Sequence, residues 1–97
     1  MISDKQPCVY ILSSSNKNTV YIGVTSCLPK RIWQHKNGFV EGFTQRYRVH
    51  YLVYYEVHDN MESAIVREKQ LKRWKRAWKN KLISSFNRGW LDLSSSI

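Results

Sequence analysis

Two tyrosines stand in short stretches rich in β-branched residues, Tyr10 in CVYIL and Tyr21 in TVYIGVT. A phenol can handle a proton once a nearby metal ion or cation lowers its pKa from about 10. Downstream, Arg31 precedes His35 by four positions, so on a helix the two side chains project from neighbouring turns. A guanidinium holds a phosphate through two hydrogen bonds, and an imidazole moves a proton near neutral pH. Glu68 adds a carboxylate. On one continuous helix, Ala64, Glu68, Leu71, Trp78 and Leu82 fall within about 80° of one another, which sets Glu68 on the apolar side. A carboxylate there requires a metal ion or a charged partner, because unpaired burial costs several kcal/mol or forces protonation. Both readings stand at this point: a metal ligand, or a salt bridge to a neighbouring Arg or Lys.

The elements that must position these groups follow from periodicity. Residues 8–12 and 19–25 predict two strands joined by the polar loop SSSNKN, whose side chains can bond locally to the backbone. Alternation gives Tyr10 and Leu12 one face of the first strand, and Tyr21 and Gly23 one face of the second. Glycine inside a strand marks a close approach of a ligand or another backbone, and Gly23 is expected to leave room for a substrate or helix. Ser26 can cap a helix with Pro29 in its first turn, running to about Asn37 before Gly38. The segment GFVEGFTQRYR, 38–48, predicts a loop with exposed aromatics. HYLVYYEV predicts a third strand, and Asp59 or Asn60 a cap for a basic helical region from Met61 to about Phe86, broken near Lys75 or Arg76. The fold class is therefore α+β, in the order β-β-α-β-α-α, as one domain over 1–97. Its core spans about 7–93, and residues 94–97 form a frayed tail.

Composition limits the partners. Sixteen Lys and Arg against seven Asp and Glu give a formal charge of +9 in 97 residues, which points to a polyanion and first to nucleic acid. Eight cations among the fifteen residues 67–81 are interleaved with Trp74 and Trp78. Arg67, Lys69, Lys72, Arg73, Lys75 and Arg76 are the candidate phosphate contacts. The tryptophans belong either to the core stripe or, if exposed, to a base-stacking surface. No run approaches the roughly 20 apolar residues of a membrane span, so no membrane partner and a cytoplasmic location are expected. Cys8 and Cys27 lack any C-x-x-C or zinc spacing and are expected to be reduced thiols.

Together, Cys8-Val9-Tyr10, Tyr21-Ile22-Gly23, Thr25, Arg31, His35, FTQRY, LVYYE and REKQLKRW resemble the GIY-YIG nuclease family, over roughly residues 7–93 and most closely its small stand-alone bacterial members. Cys8 stands where the family name has glycine. The resemblance implies a three-stranded antiparallel sheet flanked by helices and a metal-dependent endonuclease acting on nucleic acid, with DNA expected. It implies Tyr10 and Tyr21 as site tyrosines, Arg31 as the phosphate-binding cation, His35 as the helix histidine and Glu68 as ligand to one Mg²⁺ or Mn²⁺. Tyr47 is a further site-proximal candidate, and Asn87 sits where family members often carry a polar residue. The general base stays open among Tyr10, Tyr21 and His35. With little chain left to read bases, cutting is expected to depend on structure or weakly on sequence, or a protein partner supplies specificity. A non-catalytic nucleic-acid-binding module using the basic segment 67–81 is the alternative, and an adaptor docking an acidic protein a third.

Overall fold

The structure is a computed structural model that describes residues 5–40 and 42–97, so Glu41, within the segment expected to be a loop, lies outside the described residues. Strands β1 (Cys8–Ser13), β2 (Val20–Thr25) and β3 (Tyr51–Val57) form an antiparallel sheet in the order β2-β1-β3. Every residue of β1 is buried, as a central strand covered on both faces requires. Its alternation divides the interior in two. Val9 and Ile11 pack with Ile22, Ala64, Leu71 and Ile83 on one face, while Cys8, Tyr10 and Leu12 pack with Leu28, Ile32 and Val49 on the other.

The helices α1 (Leu28–Lys36), α3 (Met61–Arg73) and α4 (Arg76–Phe86) agree with the expected order, and the chain adds a short α2 (Phe43–Arg46). Thus FTQR is a single helical turn rather than loop. Nothing in its period announced it, because four residues carry too little pattern. Ser26 does not cap α1: Cys27 holds that position without a side-chain bond, and its N–H donates to Thr25 Oγ1 at 3.1 Å. Asn60 does cap α3, accepting from the Ser63 N–H at 2.8 Å.

The loop between β1 and β2 closes on its own side chains: Ser14 Oγ accepts from Thr19 N at 3.1 Å, and Asn16 Oδ1 accepts from Asn18 N at 3.0 Å. Between β1 and β3 the register slips after Ile11, whose partner is Tyr54, to Leu12, whose partner is Leu52. Val53 is the extra residue, and the bulge lets Val53 and Tyr54 both join the first core although they are consecutive. The tail expected to fray instead forms a 3₁₀ turn, Ser94–Ser96. Leu93 donates its N–H to Leu52 O at 2.8 Å, and Leu93 and Ile97 pack on the second core. No helix among the described residues is long and apolar enough to cross a membrane.

Candidate active site

The β1–β2 register sets Tyr10 opposite Gly23 and Leu12 opposite Tyr21, which puts both phenols on one face of the sheet. Tyr10 is 1% exposed, and its ring lies across Gly23 so closely that a Cβ there would meet the phenol carbon and oxygen at 2.4 Å. Gly23 therefore makes room for Tyr10 itself, not for a substrate or helix as the sequence led one to expect. The two tyrosine rings stand 6.4 Å apart, and Tyr21 stands 5.7 Å from the ring of His35.

Helix α1 brings Arg31 and His35 to this phenol. His35 Nε2 lies 3.0 Å from the Tyr10 oxygen, and Arg31 Nε donates to the same oxygen at 3.4 Å. On its other side His35 Nδ1 meets Thr44 Oγ1 at 3.1 Å. One proton arrangement satisfies all these groups: Tyr10 donates to Nε2, and an Nδ1–H donates to Thr44. Thr44 comes from α2, so the unforeseen helical turn is what orients the imidazole. Sequence reasoning passed over Thr44; its three-residue spacing from Tyr47 was visible, but nothing in it pointed to His35.

Burial shapes the titration of the pair. His35, 1% exposed, is lowered to about 4 by burial, then by the Arg31 charge and the electrostatic influence of the His50 side chain, so it is neutral at pH 7. Tyr10 is pushed up to about 12, chiefly by burial; the Arg31 hydrogen bond and charge oppose this, and the Tyr21 phenol and the Glu68 carboxylate add to it. That last influence means α3 brings Glu68 within electrostatic reach of Tyr10. Glu68 is paired through Oε2 with Lys72 Nζ at 3.0 Å, with the two side chains 14% and 51% exposed respectively. The ion pair foreseen as one alternative for Glu68 is thus present.

The remaining candidates scatter. Tyr47 is half exposed and continues an aromatic ladder from Tyr21 through Phe43, with ring separations of 6.2 and 4.8 Å. Lys69, Lys72, Arg73 and Lys75 are exposed cations on or just after α3. Arg67 is not: its Nε donates to Glu56 at 2.8 Å and its guanidinium lies 5.1 Å from the Trp74 ring. Tyr54 and His58 also bond Glu56, closing a network on the β3 side that the sequence did not reveal. Arg76 spends its donors on Lys17 O, Asn18 O and Asn80 Oδ1, tying α4 to the β1–β2 loop. Trp74 packs against the first core, whereas Trp78 is 53% exposed, so the two tryptophans part company. Asn87 is buried and bonds Val53 O, Leu91 O and Leu91 N, a structural clamp on the C-terminal turn. Cys8 is buried in the second core and both thiols are free.

The chain is similar to known proteins in both sequence and fold. Residues 6–82 match the GIY-YIG catalytic domain. A UPF0213 protein of Syntrophus aciditrophicus is 38% identical over 76 residues, covering 77% of this chain and 86% of that protein. One from Staphylococcus saprophyticus is 36% identical over 76 residues, covering 78% and 92%. The solution NMR structure of UPF0213 protein BH0048 from Bacillus halodurans superimposes with a TM-score of 0.52 at 28% identity, over 81% of this chain and 83% of that one.

Proposed function

Because this chain belongs to the GIY-YIG catalytic domain family, we propose that it is a metal-dependent endonuclease that hydrolyses phosphodiester bonds in nucleic acid, with DNA as the expected substrate. One observation carries this reading: Arg31, Tyr10 and His35 form a single hydrogen-bonded chain, with Tyr21 against it and Glu68 within electrostatic reach.

The donor set fits a hard divalent cation sparingly. No cluster of three His, Cys, Asp or Glu side chains occurs among the described residues, so Glu68 would be the protein ligand, with waters and a substrate oxygen completing the shell of Mg²⁺ or Mn²⁺. Such an ion supplies positive charge to the phosphate and the departing oxygen. Arg31 uses Nε on Tyr10 and Nη1 on Gln34, the latter at 3.4 Å, which leaves Nη2 to hold a phosphate oxygen and offset its developing charge. At neutral pH Tyr10 keeps its proton and neutral His35 can accept one, so the two form a buried relay. Tyr21 is partly exposed, which supports giving it the contact with the attacking water. As the water oxygen bonds to phosphorus and the leaving oxygen departs, the water's proton passes into this tyrosine–histidine set.

Incubation of the protein with branched, single-stranded and duplex DNA, and with RNA counterparts, in Mg²⁺ or Mn²⁺ tests the proposal. Glu68→Ala and Arg31→Ala should each lower turnover about 100-fold or more while binding persists. No Glu68-dependent cleavage of any of these substrates would overturn it. The Lys72–Glu68 ion pair favours a second reading, a nucleic-acid-binding module without catalysis. It requires salt-sensitive binding that Tyr10→Phe and Glu68→Ala leave intact, with no turnover in the unmodified protein.

A further inference from the structure

We propose that Lys72 and Lys79 form a second phosphate subsite, across Tyr21 from Arg31, and that Lys72 leaves Glu68 to fill it when nucleic acid binds. This deepens the nuclease reading and rests on it. Beside Tyr21 lies a cleft of about 340 Å³, lined by Val20, Tyr21, Ile22, Phe43, Lys72 and Lys79. At the other end of β2 a cleft of about 380 Å³ includes Thr25, Lys30, Arg31 and Gln34. β2 is an edge strand, and its six residues span roughly 17 Å. Two basic clefts at the ends of one strand, the first including Tyr21 and with Gly23 between them, suit a polyanion that passes the site and extends on both sides of it.

Lys79 was not singled out among the eight cations of the basic segment, and its surroundings set it apart. Its side chain is half-buried, no carboxylate pairs with it among the described residues, and its Nζ donates to the Lys72 carbonyl at 3.4 Å. Burial, and then the nearby Arg76 charge, lower its pKa. An ammonium drawn partly out of water and set near other cations gains from an arriving anion. Lys72 supplies the second charge. Its ion pair with Glu68 is half exposed on the lysine side, and pairs of that kind hold weakly. In the free protein this ammonium occupies the carboxylate that a divalent cation would use. A phosphate that attracts Lys72 into the cleft therefore also releases Glu68, and nucleic acid and metal ion bind cooperatively.

Fluorescence anisotropy with a short labelled deoxyoligonucleotide in chelator, over a range of salt, separates these effects. Lys79→Gln should weaken binding several-fold and reduce the salt slope by about one, while Lys79→Arg retains both. Glu68→Gln should tighten binding where Lys72 is present and do so less in a Lys72→Met background, since only the first frees an ammonium. Calorimetric titration of the free protein with Mn²⁺ should show several-fold higher affinity in Lys72→Met. Unchanged affinity and slope in Lys79→Gln, an equal effect of Glu68→Gln in both backgrounds, or unchanged Mn²⁺ affinity in Lys72→Met would each overturn the proposal. An unmodified protein that cleaves DNA while these variants behave alike sinks the subsite alone; one that binds no oligonucleotide at any salt sinks the nuclease reading with it.

Discussion

Tyr10 and Gly23 are a fitted pair: the ring occupies the volume a side chain at 23 would need. Gly23→Ala should therefore cost about 1–3 kcal/mol and shift the phenol from His35, because the ring is rigid and packed on every side. In a Tyr10→Ala background the same substitution should cost much less, and that non-additivity, read from denaturant unfolding of the four proteins, is the check. His35 gives a second expectation at this scale. Its pKa is lowered to about 4 in the fold and returns to near 6.5 on unfolding, so between these values the unfolded chain binds the extra proton. Stability should hold above pH 6.5 and fall as pH drops toward 4, by on the order of 3 kcal/mol. Burial alone would raise the carboxyls of Glu56 and Asp92, but their hydrogen-bond donors hold both below the ordinary range, so their losses come at lower pH. Urea unfolding from pH 7 to 4 should show this slope in the native sequence and a flat profile in His35→Gln. A slope that persists in the variant would assign the effect to other groups.

Among the elements, the break between α3 and α4 decides which side chains of the basic segment are structural. Trp74 and Lys75 both leave the helical region, with ψ of 148° and 150°. Neither glycine nor proline marks the place. Trp74 turns into the first core with Arg67 over its ring, and Arg76 starts the new helix anchored to the β1–β2 loop. The stripe that one continuous helix would carry from Ala64 to Leu82 is cut at the break expected near Lys75 or Arg76, and Trp78 lands on the surface although unbroken helical phase would set it on the core side. Trp74→Ala should cost about 2–4 kcal/mol as a truncation into the core, whereas Trp78→Ala should stay within about 0.5–1 kcal/mol. Equal losses in thermal or urea unfolding would contradict the division.

Across the whole molecule the +9 charge is not spread over equivalent cations. Arg67 is committed to Glu56 and Trp74, and Arg76 to the backbone of the β1–β2 loop. Exposed Lys69 and Arg73 have no ion-pair partner among the described residues. Lys69→Gln and Arg73→Gln should each weaken DNA binding and lower its salt slope by about one, leaving stability nearly unchanged. Arg67→Gln should instead lower the unfolding midpoint, since Glu56 loses its cation, and leave the slope alone. Salt-series binding and urea unfolding on the same three variants distinguish the two classes.

The sequence by itself determined the strands, the main helices, the single face shared by Tyr10 and Tyr21, and the family, because alternation, capping residues and motif spacing are local. It also carried both fates of Glu68, since a carboxylate on an apolar face demands a cation without saying which. Only the tertiary structure decided that Gly23 accommodates Tyr10, that α2 supplies Thr44 to His35, that the break in the basic helix turns Trp74 into the core and leaves Trp78 exposed, and that Lys72 holds Glu68. Each of these depends on which atoms from distant segments share one space, and residue periodicity carries no record of that.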